Sequence, residues 1–202
     1  MITAILLAAG QSKRLKNENK LIKLFKKKLL INYILSSLIK SKVNKIIIVL
    51  GFEQLKVKKK LLKSKKIKFV INKNYKKGIS SSIKTGLRSL SKRNKGFLIV
   101  QADMPNITKT TINKIILLIN KSPKEIFLPR FKNRVGNPIG FPILFLNFGK
   151  IISLSDLVID KHILLIVVLV IFGISPRTIK NPLLFFGNFF KPVLIELDIP
   201  FL

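Results

Sequence analysis

The 202-residue chain has no cysteine, which excludes disulfides and thiolate metal sites. It has a single histidine, His162, which argues against a zinc centre. Acids are scarce: 8 Asp+Glu stand against 39 Lys+Arg, a formal net charge of +31. The uninterrupted apolar run Ile163–Phe172 is well short of the roughly 20 residues that a membrane span needs. It reads as a buried core segment, and it would be a β-aggregation hazard if exposed. The apolar start, Ile2–Leu7, is too short for a signal peptide. These absences lead us to expect a cytoplasmic protein with no membrane partner.

The charge looks like that of a nucleic-acid binder. Its context argues against that reading. Lys, Ile, Asn, Leu and Phe dominate together, as an AT-rich coding sequence produces. The lysines are spread through residues 13–132 rather than gathered in one stripe. Aromatic platforms interleaved with basic residues are absent. Weak, salt-sensitive RNA adhesion is then a by-product, and no specific nucleic-acid partner is expected.

The length suits one domain with a real core. Residues 1–150 hold 35 of the basic residues and only four acids: Glu18, Glu53, Asp103 and Glu125. Residues 151–202 hold four basic and four acidic residues, so the composition breaks near 150.

One stretch carries most of the information: Ile5-Leu6-Leu7-Ala8-Ala9-Gly10-Gln11-Ser12-Lys13-Arg14-Leu15, closed by Lys20. It begins as a buried strand and turns at small residues. Gly10 lets the backbone bend sharply and approach a ligand closely. Ala8 and Ala9 keep bulk off the same surface. Ser12, Lys13, Arg14 and Lys20 set hydroxyl and cationic donors beside backbone N–H groups. A nucleoside triphosphate needs that combination. The stretch is neither a Walker A loop nor a G-x-G-x-x-G fingerprint. A strand followed by a loop that is basic by composition is the bland alternative.

Further along, apolar spacing predicts an amphipathic helix over Lys27–Lys40, through Leu30, Ile31, Ile34, Leu35 and Leu38. Lys45–Gly51 reads as a strand buried on both faces. A basic helix over Glu53–Lys63, a strand over Ile67–Ile71 and a helix over Ser80–Leu90 follow. Gly96–Ala102 is a strand, Thr108–Ile119 a helix with Thr108 as N-cap, and Ile126–Pro129 opens another strand. Alternation at this interval calls for βαβ units and a mostly parallel sheet. Ligands in such sheets sit at the carboxyl ends of the strands.

Three more constellations follow strands. Gly78, Ser80, Ser81 and Ser82 offer backbone and hydroxyl hydrogen bonds to a polar ring or ribose, or form a solvated loop with a Ser cap. Asp103, in Val100-Gln101-Ala102-Asp103-Met104-Pro105, is a lone acid ending a hydrophobic strand. A Mg²⁺–triphosphate needs such hard oxygens. A turn-initiating Asp is the plain alternative. Arg130–Ile139 is, on its residues alone, a basic turn.

These segments resemble the signature of the MobA-like NTP transferases, the nucleotidyltransferases that include the molybdenum-cofactor cytidylyltransferases. The opening is similar to L-A-A-G-x-S-x-R-(M/L)-x(4)-K, with Leu15-Lys16 where the family has Met-Gly. Asn72–Gly86 is similar to N-x(5)-G-(I/M)-S-S-S-(I/L)-x-x-G, Ala102–Pro105 to (G/A)-D-M-P, and Arg130–Ile139 to G-x-x-G-N-P-(V/I). Phe131-Lys132 stand where the family has small residues. Together the motifs cover about two thirds of the chain.

The resemblance implies an α/β fold: a single Rossmann-like domain of the nucleotide-diphospho-sugar transferase type, mostly parallel, with helices on both faces. It implies transfer of a nucleotidyl group, CMP from CTP given L-A-A-G, to a phosphorylated acceptor such as molybdopterin. Pyrophosphate is released. By that resemblance Leu7, Ala8, Ala9, Gly10 and Ser12 hold the nucleotide. Arg14 and Lys20 hold phosphate oxygens. Gly78, Ser80, Ser81 and Ser82 lie near base and ribose. Asp103, with Asp198 as a second ligand, holds Mg²⁺. Gly136, Asn137 and Pro138 lie near the acceptor. A sugar-phosphate or methylerythritol-phosphate acceptor, an inactive remnant and a basic nucleic-acid-binding protein are the competing readings.

The resemblance breaks after Phe148. Ser155-Asp156 lacks the Gly of the family's S-G-D, and Gly-Ala is missing. Leu194–Pro200 is like a worn D-I-D-T-P, with Glu196 beside Asp198. Residues 151–202 therefore read as a divergent end of the same domain, degraded or frame-shifted over about 154–190. Motif, charge and Lys/Asn bias are lost there together.

Overall fold

The computed structural model describes residues 1–12, 18–131, 134–144 and 191–196; for 130, 131, 134, 135 and 191–196 only the backbone is described. The first apolar run forms β1 (Ile2–Ala8). A short hairpin follows, β2 (Leu24–Phe25) with β3 (Lys28–Leu29), and leads into α1 (Leu30–Lys40). Next come β4 (Lys45–Leu50), α2 (Gln54–Lys60), β5 (Ile67–Ile71) and α3 (Ile79–Leu87). Then β6 (Gly96–Gln101), α4 (Lys109–Lys121), β7 (Glu125–Phe131), β8 (Arg134–Val135) and β9 (Ile139–Pro142) lie in order. The last described strand is β10 (Lys191–Glu196).

The main sheet runs β10-β7-β9-β6-β1-β4-β5, with β8 paired off this path to β7. β1 pairs in parallel with both β4 and β6, and β4 with β5. β9 runs antiparallel to β6 and β7, so it is the reversed strand within an otherwise parallel path. β10 lies parallel to β7, so residues 191–196 extend the same sheet. The mostly parallel α/β fold expected above is the fold observed.

Strand alternation sorts the core. Ala4, Leu6 and Ala8 of β1 face one way, with Ile46, Ile48 and Leu50 of β4. They meet Ile31, Ile34 and Leu38 of α1, Val57 of α2, and Ile112, Ile115 and Ile119 of α4. Ile5 and Ala9 face the other way, with Ile47, Val49 and Ile83 of α3. Both faces are thus covered, as a parallel sheet requires. On the second face Phe97 and Phe141, opposite one another in the β6–β9 register, stack at 5.0 Å.

Helix bounds differ from expectation for local reasons. α1 begins at Leu30, not Lys27, because residues 24–29 form the hairpin, turned by Lys26 at φ +53°. α2 stops at Lys60 because Leu61 is extended and its N–H bonds the Lys58 carbonyl. α3 stops at Leu87; the Ser89 and Leu90 N–H groups close tighter turns on Gly86 and Leu87. Thr108 caps α4 as expected, its side chain accepting from the Thr111 N–H. The run Ile163–Phe172 and Ser155-Asp156 lie outside the described residues. No helix among the described residues is long and apolar enough to cross a membrane.

Candidate active site

A cavity of about 980 Å³ opens at the carboxyl ends of β1, β5 and β6. Neighbouring strand ends are tied to one another there. The Ala102 N–H donates to the Leu7 carbonyl at 3.2 Å, and the Phe52 N–H to the Ala9 carbonyl at 3.2 Å. The Asn72 N–H donates to the Leu50 carbonyl at 2.8 Å. The position is the one that ligands take in open α/β sheets.

The floor comes from the loop after β1. Leu7, Ala9, Gly10, Gln11 and Ser12 all line the cavity. Gly10 works differently from expectation. Its φ is not in the left-handed region, and a Cβ built there meets nothing within 4 Å, so it leaves open cavity rather than making a forced turn. Ser12 takes the left-handed conformation instead, at φ +49°. Alternation turns the Ala8 side chain into the core, where it is 1% exposed.

The close approach that needs glycine is at Gly51. A Cβ there would stand 2.7 Å from the Tyr75 Cβ and 2.9 Å from the Ala9 carbonyl oxygen. Gly51 therefore lets the chain after β4 slip between the β1 loop and Tyr75.

One wall is charged. Lys20 begins a 3-10 turn, Lys20–Ile22, capped by the buried side chain of Asn19. Its ammonium lies 3.3 Å from Asp103, which stands just past β6. Both side chains are close to half exposed and both line the cavity. Arg14 and Asp198 lie outside the described residues.

The opposite wall is mostly uncharged polar groups, with one exposed cation, Lys76. Gly78, at φ +95°, turns the chain into α3. Tyr75, Lys76, Gly78, Ile79 and Ser82 line the cavity. Ser80 and Ser81 are not among the lining residues; Ser81 donates to the Asn74 or Gly78 carbonyl, at 2.8 and 3.0 Å. Asn72, 3% exposed, anchors this wall by donating to Ser81 and Ser82 at 2.7 and 3.0 Å.

Gly136, Asn137 and Pro138 do not line the cavity either. They lie beside it. Ile99 pairs with Ile139 in antiparallel register, and continuing that register two residues sets Asn137 alongside Gln101, a lining residue. Asn137 is 7% exposed, and its Oδ1 has no partner among the described residues.

Sequence reading gave no role to Asn72, Tyr75 or Gln101, although each stood inside a quoted motif. Their signal was present: Asn72 opens the serine segment, and Gln101 sits two residues before Asp103.

The donor set also tests what metal could bind. No group of three His, Cys, Asp or Glu side chains gathers among the described residues. Asp103 offers one carboxylate. That fits Mg²⁺ arriving on a triphosphate, which supplies further oxygens while waters complete the shell.

Comparison with known proteins agrees with this geometry. The MobA-like NTP transferase domain matches residues 4–149. The chain is similar in structure to Rv0371c of Mycobacterium tuberculosis H37Rv. That match has TM-score 0.68 and 20% identity, over 98% of this chain and 90% of that one. A complex of the same mycobacterial protein with manganese matches at TM-score 0.63 and 15% identity, over 98% and 90%. A nucleotidyl transferase from Methanothermobacter thermautotroptrophicus matches at TM-score 0.65 and 18% identity, over 86% and 84%. The 4-diphosphocytidyl-2C-methyl-D-erythritol synthase of Anaerococcus prevotii matches at TM-score 0.66 and 15% identity, over 96% and 86%. At these identities the likeness is one of fold.

Proposed function

The chain belongs to the MobA-like NTP transferase family and is a nucleotidyltransferase, and we propose that it transfers CMP from CTP to a phosphorylated acceptor such as molybdopterin, releasing pyrophosphate. The observation that carries the reading is the cavity itself. It brings a small-residue loop, two lysines, a carboxylate and a serine wall together at the carboxyl end of the sheet.

In this reading Leu7, Ala9, Gly10 and Ser12 receive the triphosphate, and Ala8 supports them from the core. Lys20, with Arg14, neutralises phosphate oxygens and the leaving pyrophosphate. Gly78 and Ser82 face the base, with Ser80 and Ser81 holding that segment. Asp103, with Asp198, would hold Mg²⁺. The bound ion would supply charge neutralisation as the α-phosphorus is attacked. Asn137, flanked by Gly136 and Pro138, lies toward the acceptor. Its unpartnered Oδ1 beside the Gln101 strand end supports that placement.

An acceptor phosphate oxygen attacks the α-phosphorus and forms a new P–O bond. The bond from the α-phosphorus to the bridging oxygen breaks, and the electron pair leaves with pyrophosphate. No protein nucleophile is needed, so the chain's task is positioning and electrostatics.

A thermal melt with Mg²⁺ and CTP, GTP or ATP tests the donor. Binding to the native state raises the midpoint by mass action. A rise with CTP above the others supports the reading; a rise with GTP or ATP alone overturns the donor assignment. Pyrophosphate release across molybdopterin, methylerythritol phosphate and sugar phosphates then names the acceptor. The methylerythritol synthase fold among the similar structures makes that acceptor the first competitor to include.

A further inference from the structure

The serine wall contains more order than a nucleotide loop needs for its fold alone. Asn72 sits at the end of β5, and its Oδ1 accepts the Asn74 N–H at 3.0 Å. A backbone N–H can only donate, so this bond fixes which end of the amide is oxygen. The nitrogen end must then face α3, where it donates to Ser81 Oγ at 2.7 Å and Ser82 Oγ at 3.0 Å. Both amide protons are used.

The two serines differ in what remains. Ser81 has carbonyls for its own proton, at Asn74 and Gly78. Ser82 has no acceptor for its proton among the described residues. It is 6% exposed and lines the cavity. A buried hydroxyl whose oxygen is already bonded and whose proton is not satisfied calls for an acceptor from the ligand.

We propose that Asn72 is a positioning residue that holds Ser82 Oγ as a donor pointed into the cavity, so that this wall selects a base edge carrying an acceptor. The inference rests on the reading above, in which the base lies against this wall. It gives that reading a chemical preference. Cytosine presents an acceptor at N3, where uracil presents an N–H donor. Ser82 with its donor polarity fixed favours the former. Ser81 is excluded as the reader, because its proton is already engaged within the chain.

Asn72→Asp reverses the arrangement with little change in shape. The carboxylate still accepts the Asn74 N–H, but it can no longer donate to the serines and accepts from them instead. Ser82 would then turn its lone pairs to the cavity. The measurement is the ratio of the Kd for Mg–UTP to that for Mg–CTP, taken by calorimetry at pH 8 without acceptor. Wild type is expected to favour CTP by about 10-fold or more, the size of one well-placed hydrogen bond. Asn72→Asp should bring the ratio to 1 or below. Ser82→Ala should also bring it to about 1, whereas Ser82→Thr, which keeps the hydroxyl, should retain the wild-type ratio. Adding Asn72→Asp to Ser82→Ala should change nothing further.

A purely structural Asn72 would weaken both nucleotides together and leave the ratio alone. A folded Asn72→Asp that keeps the wild-type ratio overturns the inference, while the nucleotide site stands. If that variant does not melt cooperatively, the serine pair decides. Equal ratios in wild type and Ser82→Ala overturn it. A wild-type chain that binds neither nucleotide overturns the site reading, and this inference with it.

Discussion

The two walls of the cavity solve different problems in different ways. The Lys20–Asp103 wall is an ion pair at 3.3 Å between side chains that water reaches. The opposite wall is built on a buried Asn72–Ser82 hydrogen-bond set that is itself uncharged, with the exposed Lys76 beside it. An exposed pair separates easily, because solvent replaces each partner and screening weakens the attraction. A buried polar network is fixed, because breaking one bond leaves a group unsatisfied. Phosphates and a metal must enter and leave, so exchangeable charge suits them. A planar base needs fixed donors, so the buried network suits it.

The largest effect expected is on the charged wall. Asp103→Ala should lower kcat/KM by about 10²–10³-fold, the range seen when one transition-state electrostatic partner is removed. Its melting midpoint should barely move, since the carboxylate is half exposed and its ion pair is weak. Steady-state assays with Mg²⁺ and a melt on the same sample check both. Retained Mg²⁺-dependent turnover removes Asp103 from the site.

The joint between the floor and the serine wall comes next. Gly51 is wedged between Ala9 of the β1 loop and Tyr75 of the serine wall. In Gly51→Ala the new Cβ would press on backbone and on two Cβ atoms, none of which is a flexible chain end. Overpacking of this kind costs about 1–3 kcal/mol. Denaturant unfolding should show that loss, and nucleotide affinity should fall with it as the two are pushed apart. A neutral Gly51→Ala would mean that the floor and the serine wall are not in contact there.

Support for the charged wall is smaller. Asp103 leads through a short turn to α4, whose first turn is held by Thr108. Removing a Ser/Thr cap costs about 1 kcal/mol. Thr108→Ala should lose that much by urea titration, and Thr108→Ser should recover most of it. No loss would show that the tertiary packing of Ile112, Ile115 and Ile119 alone fixes the helix start.

The walls also differ in how much of them was legible in the chain. β1, β4 and β6 are continuous apolar runs, and α1 shows helical spacing, so local pattern was enough for each. The β2–β3 hairpin was missed because Lys26 takes a left-handed turn without Gly or Asn to announce it. The reversed β9 was not visible, since Ile139–Pro142 is short and its direction is set by partners some 40 residues away in β6. Lys20 and Asp103 were read as site residues from charge and scarcity. Asn72 was not, because its bonds depend on the end of β5 lying beside the start of α3. The same cause hid which serine lines the cavity: three consecutive serines look alike in sequence, and only the helix phase turns Ser82 to it. The inward direction of the Ala8 side chain has the equivalent cause on a strand, where neighbours point to opposite faces.

The smallest effect is the sharpest test of the contrast. If Lys20 and Asp103 are exchangeable, their mutual contribution to folding should be slight. A double-mutant cycle with Lys20→Met and Asp103→Asn isolates that contribution from other losses. Discounted for solvent exposure, the coupling should be at most about 0.5 kcal/mol at low ionic strength. It should vanish near 1 M salt, where the Debye length is only about 3 Å. The same pair should matter far more once Mg–nucleotide is bound, when Lys20 faces phosphate and Asp103 faces the metal. Lys20→Met should then weaken Mg–CTP binding several-fold while leaving the free protein's stability unchanged. A salt-insensitive coupling of about 2 kcal/mol or more, of the size that buried pairs reach, would mean that the pair is a structural lock. The charged wall would then be as fixed as the serine wall, and nucleotide entry would have to break it.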